Sequence, residues 1–155
     1  MEGTGITTAV LENIESGRKA NLDVSQLLNI ASTLNVPVVN LLAPMARPGD
    51  IVDLPNLGTA LVNMTASEFD SWLSSVPNAS YIASNASERH ERAELQALRD
   101  LHAAERELRR LEVAERLEGH EQPAQLADAA RAHLSATRQR ISELRNYLTS
   151  AGWEL

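Results

Sequence analysis

Residues 124–149 read AQLADAARAHLSATRQRISELRNYLT, and the spacing of their apolar positions decides the fold of the C-terminal half. Ala127, Leu134, Ile141 and Leu148 recur every seven residues, and Ala130, Thr137 and Leu144 each follow by three. On an α-helix such a pattern forms one a/d stripe, with Arg and Glu left to the outer faces. Upstream, from Ala86 to Leu117, Leu95, Leu98, Leu101, Ala104, Leu108, Leu111, Ala114 and Leu117 fall three or four apart. Gly119 and Pro123 bracket a break over Glu118 to Gln122, because a glycine suits a helix end and a proline cannot continue one. Two helices of about 32 and 26 residues, roughly 48 and 39 Å long at 1.5 Å per residue, are therefore expected to fold back as an antiparallel, coiled-coil-like hairpin over residues 86–155. The alanine-rich stripe predicts close packing, with apolar surface left over for a homodimer or a partner helix. Glu105–Arg109 and Glu112–Arg116, each four apart, are expected to pair along their own helix for a few tenths of a kcal/mol each.

Before the hairpin the texture changes. Residues 45–85 read as a mixed linker region with one short helix. Pro48, Gly49 and Pro55 punctuate it, and Ile51-Val52 and Ala60-Leu61-Val62 are candidate short strands. Thr65-Ala66-Ser67-Glu68 is a capping-box pattern that opens a helix through Phe69, Trp72, Leu73 and Val76, closed by Pro77. The Asn-, Ser- and Ala-rich stretch from Pro77 to Ser87 reads as a linker.

Residues 1–44 read as short helices with tight connections. Thr7 is a candidate N-cap for a helix carrying Val10, Leu11 and Ile14, and Gly17 follows where a helix end tolerates positive φ. Asp23 opens a second helix with Gln26 placed to complete a capping box. Val24, Leu27, Leu28, Ala31 and Leu34 form its apolar stripe, Asn35-Val36-Pro37 ends it, and a short helix follows from Val38 to Leu42.

The run Gly5-Ile6-Thr7-Thr8-Ala9-Val10-Leu11-Glu12-Asn13-Ile14-Glu15-Ser16-Gly17-Arg18 resembles the recognition-helix signature of the Cro/repressor-type (XRE) helix-turn-helix regulators. In that family a Gly-apolar turn precedes a Ser/Thr-capped helix ending in Ile-Glu-x-Gly-Arg/Lys. Leu22 to Leu42 extends the likeness through Ile30-Ala31-x-x-Leu34-Asn35-Val36-Pro37, a form similar to that of actinobacterial members, as is the helix with Trp72. The resemblance implies a partial repressor-like domain that reads double-stranded DNA in the major groove. Carried over by position, Thr8, Ala9 and Asn13 would read base edges, with Asn13 able to pair bidentately with adenine and Ala9 limited to a thymine methyl. Thr7, Arg18 and Lys19 would contact phosphates, which orient a reader helix without reading sequence; Glu15 would brace the helix. The family's domain has two further helices before this turn, and four residues precede Gly5 here, so an N-terminally truncated domain is expected. Leu11, Ile14, Leu27 and Leu34 would then lack part of their packing, at about 1.5–3 kcal/mol for each side chain left exposed.

Composition sets the outer bounds. Aromatic residues are 3% against 43% hydrophobic, so the core rests on Leu, Ala, Val and Ile, which suits packed helices. The net charge of −7 disfavours indiscriminate nucleic-acid binding, which needs a basic surface. Two cations face four acids in residues 1–43, one faces four in 44–85, and eleven face thirteen in 86–155. Any DNA contact must therefore come from a small local cluster. The chain has no cysteine, no apolar run near the roughly 20 residues of a membrane span, and no signal-peptide pattern at its first residues; a cytoplasmic protein is expected. His90, His102, His120 and His133 invite a metal site, yet only His90 and Glu94 share a helix face at i, i+4, and surface histidines explain the set better. No phosphate-binding loop and no nucleophile–base–acid set occurs, so neither cofactor nor enzymatic chemistry is expected. Sequence-specific DNA binding in transcriptional regulation is the primary expectation. The alternative is a coiled-coil interaction protein that keeps a non-binding remnant of the repressor domain.

Overall fold

A computed structural model describes residues 21–76, 80–118 and 124–155, together with Glu12 and Ser16. The described residues are all-α, in the order α1 (Val24–Leu34), α2 (Val39–Leu42), α3 (Ala66–Ser74), α4 (Ala86–Glu118) and α5 (Ala124–Ser150). Chain contacts divide the molecule into two compact units, Met1–Ser74 with Ala79–Tyr81, and Ser75–Asn78 with Ile82–Leu155.

In the first unit, α1 starts where Asp23 satisfies an end that a helix leaves open. Asp23 Oδ1 accepts the Gln26 N–H at 2.8 Å, and Gln26 Oε1 accepts the Asp23 N–H at 3.4 Å, which completes the expected capping box. The helix stops at Asn35, held in the left-handed region at φ 53°. The Asn35 N–H reaches Ser32 O at 3.2 Å and the Val36 N–H reaches Ala31 O at 3.0 Å, the paired bonds of a Schellman ending. Pro37 and the single turn of α2 follow, with Ala43 N–H bonded to Val39 O at 2.9 Å.

Ala43 is also where a core begins. Ala43, Val52, Met64, Ala66 and Phe69 are buried together, and Val39, Leu42, Leu57, Leu61, Trp72 and Tyr81 are among the apolar side chains packed against them. The boundary expected at residue 44 thus runs through a continuous apolar cluster. Phe69 and Trp72 approach with ring centroids 5.8 Å apart in a tilted arrangement, a geometry aromatic pairs favour. The strands expected at Ile51-Val52 and Ala60-Leu61-Val62 do not form. A lone antiparallel bridge joins Ile51 to Thr65, with the Val52 N–H on Met64 O at 2.9 Å and the Ala66 N–H on Asp50 O at 2.8 Å. The second segment is spent on a turn instead, Leu61 N–H bonding Gly58 O at 2.9 Å. Pro55 lacks a donor, and Asn56 adopts φ 61°, so a ladder cannot propagate between them.

Thr65 and Glu68 cap α3 reciprocally. Glu68 Oε2 accepts both the Thr65 N–H and its hydroxyl at 2.8 Å, while Thr65 Oγ1 accepts the Glu68 N–H at 3.2 Å. Those donors hold the Glu68 carboxyl below its ordinary pKa, the Thr65 backbone N–H contributing most. The helix ends at Ser74, before the position expected from Val76, because Ser75 turns left-handed at φ 53°. Ser71, fully buried, accepts the Tyr81 N–H on its Oγ at 3.3 Å and so ties the returning chain to α3.

The second unit is the hairpin. Asn85 Oδ1 accepts the Glu88 N–H at 2.9 Å, and Glu88 Oε2 accepts the Ser84 N–H at 3.1 Å, so the end of the expected linker is the cap of α4. α4 and α5 pack against each other as an antiparallel pair. Leu101, Ala104, Ile141 and Leu148 are buried in the seam, flanked by Ala97, Leu98, Leu108, Leu144 and Trp153. Leu134 and Thr137 are buried on the same stripe, whereas Ala130 is exposed and Leu117 is 79% exposed. α5 closes with a second Schellman ending: Gly152 at φ 92°, its N–H on Thr149 O at 3.0 Å, and the Trp153 N–H on Leu148 O at 3.0 Å. Glycine suits that left-handed position because it has no Cβ to clash. Trp153 is thereby turned back onto the seam it terminates.

Candidate functional site

The DNA-contacting residues implied by the resemblance, Thr7, Thr8, Ala9, Asn13, Arg18 and Lys19, all lie outside the described residues. Within that stretch Glu12 is helical and exposed, and the Ser16 N–H bonds Glu12 O at 3.0 Å, the i to i−4 bond of an α-helix. What is described is the element that follows. α1 carries no charged residue, and most of its apolar stripe stands open. Ala31 is buried and Leu27 half-buried, but Val24 is 73%, Leu28 50% and Leu34 59% exposed. An apolar stripe at helical spacing ordinarily faces a core.

Charge chemistry in the second unit is more fully organised. Four ion pairs cross from α4 to α5: Asp100–Arg140 at 3.2 Å, Glu107–His133 at 3.6 Å, Glu105–Arg145 at 2.6 Å and Glu112–Arg138 at 3.0 Å. With Leu101, Leu108, Leu134 and Ile141 at a positions, Asp100, Glu107, His133 and Arg140 are g positions. Glu105, Glu112, Arg138 and Arg145 are e positions. Reversing one helix sets like-lettered flanks opposite one another, so the pairs form one g–g row and one e–e row beside the seam. Every acid is on α4, and its partners, three arginines and His133, are on α5. The i, i+4 pairing expected for Glu105–Arg109 and Glu112–Arg116 is thereby corrected: both carboxylates reach across to α5. Their e positions place them next to the facing helix, where a guanidinium is as near as the one a turn away and apolar walls exclude some of the water that would screen it.

His90 and Glu94, weighed above as a metal pair, bond each other through Nε2 and Oε1 at 2.9 Å. The other Glu94 oxygen accepts the Trp153 indole N–H at 2.9 Å. Glu94 thus braces the Schellman ending of α5 against α4. Among the described residues no group of three or more His, Cys, Asp or Glu is positioned to hold a metal ion. Among them, too, no helix is long and apolar enough to cross a membrane.

Trp153 and the α5 arginines escaped the sequence reading, although signals for both are present. Gly152 just past a heptad run, followed by a large apolar residue, is the signature of the C-terminal motif. Acids flanking a/d positions on one helix, and arginines flanking them on the next, announce the cross-pairing. Comparison with protein families, with curated proteins and with solved structures finds no match to this chain.

Proposed function

We propose that this chain is a sequence-specific DNA-binding transcriptional regulator of the repressor-like helix-turn-helix class. On this reading it acts in the cytoplasm without catalytic chemistry, with the hairpin available for self-association or partner binding. The observation that supports the reading is the local structure of Leu22 to Leu42. There the capping box at Asp23, the left-handed turn at Asn35, the proline after Val36 and the short α2 follow one another in the order the resemblance implies. Thr8, Ala9 and Asn13 are assigned to base edges, and Thr7, Arg18 and Lys19 to phosphates.

The test is selection of bound duplexes from a random-sequence library, followed by mobility-shift titration of the enriched sequence. Asn13→Ala is expected to relax selectivity at an adenine position, at about 1–3 kcal/mol. Arg18→Ala with Lys19→Ala is expected to weaken binding to all sequences and to flatten its dependence on salt. An unenriched library together with an unshifted probe at low salt would refute the reading.

A second reading, an interaction protein built on the hairpin with a non-binding remnant of the domain, is favoured by one observation. Among the described residues the hairpin carries two flanking rows in which three carboxylates meet arginines and a fourth meets His133. DNA binding that persists after the hairpin seam has been disrupted would count against it.

A further inference from the structure

Beyond the seam, α4 has a second face. Counting 100° per residue, Arg106, Arg109, Arg110, Val113, Ala114 and Leu117 fall on an arc opposite Leu101, Ala104, Leu108 and Leu111. These six residues form one continuous, open surface along the helix. The arc differs from the rest of the helix in its charge. Between His102 and Leu117 the carboxylates are Glu105, Glu107, Glu112 and Glu115, and the first three of these turn to α5. The outer arc is left with arginines and no acid.

Those arginines are also uncommitted. Arg110 has only a 3.9 Å approach to Glu107 on an exposed surface, while Arg106 and Arg109 have no ion pair among the described residues. Beside them Val113 is 52% and Leu117 79% exposed. In a chain of net charge −7, three guanidiniums in line with an exposed apolar strip form a local reversal of sign.

We infer that this face of α4 docks an acidic amphipathic helix of a partner protein. The partner's apolar residues lie over Val113, Ala114 and Leu117, and its carboxylates meet Arg106, Arg109 and Arg110. Charge complementarity selects the sign of the partner, since guanidinium forks match carboxylates bidentately. The apolar strip selects its form, because a partner helix can lay an i, i+3, i+4, i+7 stripe of its own along such a strip. A nucleic-acid backbone would satisfy the arginines and leave Val113 and Leu117 in water, so the pairing of both features favours protein.

The full chain is titrated against a fluorescein-labelled 18-residue peptide with leucines on one helical face and glutamates on the others, read by fluorescence anisotropy. Saturable 1:1 binding is expected. Arg106→Glu with Arg109→Glu is expected to weaken it at least tenfold, and Val113→Ser with Leu117→Ser at least threefold, with unchanged far-ultraviolet circular dichroism. Where charge reversal perturbs the helix, Arg106→Gln with Arg109→Gln replaces it. Absence of peptide binding overturns the inference. So does equal binding of a scrambled peptide that keeps the composition and loses the stripe, and so does displacement of the peptide by mixed-sequence duplex DNA competing for the same arginines.

Discussion

Helices α1 and α5 are built from the same devices and end in opposite circumstances. Each carries an apolar stripe at helical spacing, and each closes with a Schellman ending, Asn35-Val36 on α1 and Gly152-Trp153 on α5. On α5 the stripe is covered: Leu134, Thr137, Ile141 and Leu148 are buried. On α1 only Ala31 is buried, and Val24, Leu28 and Leu34 remain open. Periodicity thus states which face of a helix is apolar, and a second, matching surface decides whether that face contributes to stability. For α5 the match is supplied by α4, whose acids complement the arginines that border the stripe. α1 has no charge with which to specify a neighbour.

The largest test of that contrast pairs Leu148→Ala with Leu28→Ala. Leu148 is fully buried in the seam, so its truncation is expected to cost about 2–5 kcal/mol in urea denaturation of the hairpin unit. Leu28 is 50% exposed, and its truncation is expected to cost well under half as much. Equal losses would mean that the α1 stripe is covered in solution and that the contrast is false.

Trp153 offers the next effect. It buries part of its indole on the seam and donates to Glu94, so Trp153→Ala is expected to cost about 1.5–3 kcal/mol. Trp153→Phe keeps most of the apolar contact and loses the hydrogen bond, at about 1 kcal/mol. If the two variants are equally destabilised, the bond rather than the burial holds the end of α5. On α1 the corresponding residue is the smaller, half-buried Val36, and Val36→Ala is expected to cost about 1 kcal/mol or less.

These differences also mark what was readable beforehand. The long helices, expected over Ala86–Leu117 and Ala124–Thr149, occur as Ala86–Glu118 and Ala124–Ser150. The capping boxes at Asp23 and Thr65 form as their four-residue patterns imply. Such features are legible because donor, acceptor and stripe all lie within a turn or two of each other. The strand at Ala60-Leu61-Val62 was misread because a ladder requires a partner that local sequence does not name, and a Gly58 turn took the segment. Partner choice for Glu105 and Glu112 was misread for the same reason: the competing cation is 40 and 26 residues away. At the candidate DNA-binding site, only the supporting α1 and α2 fall among the described residues, so legibility there ends at the scaffold.

Capping contributes less than burial and is sensitive to pH. Thr65→Ala removes an acceptor and a donor at the start of α3 and is expected to cost about 0.5–2 kcal/mol. Because the Glu68 pKa is lowered in the folded state, the cap's contribution is present in full above the ordinary carboxylate pKa. It is lost as pH falls through the lower folded value. Stability measured from neutral pH downward should therefore fall less steeply on the acid side in Glu68→Gln than in the native chain. An unchanged slope would show that the reciprocal bonds to Thr65 do not persist in solution.

The smallest expected effect bears most directly on why α4 chooses α5. Glu105 and Arg145 are partly exposed, their side chains 24% and 57% accessible, so water and salt screen the pair and its net contribution is about 0.2–1 kcal/mol. Its value lies in the alternative pairings that it disfavours. Two copies of α4 laid antiparallel would oppose acid to acid along both flanks, and two copies of α5 would oppose arginine to arginine along the e flank. Arg145→Glu alone brings such a repulsion into the hairpin, and adding Glu105→Arg restores an opposite-charge pair with its direction reversed. A double-mutant cycle is therefore expected to show a coupling of about 0.5 kcal/mol or more, with most of the single-variant loss recovered in the double variant. Zero coupling would leave the seam's apolar residues as the only source of the pairing, and the matched flanks as a consequence of the hairpin rather than a cause of it.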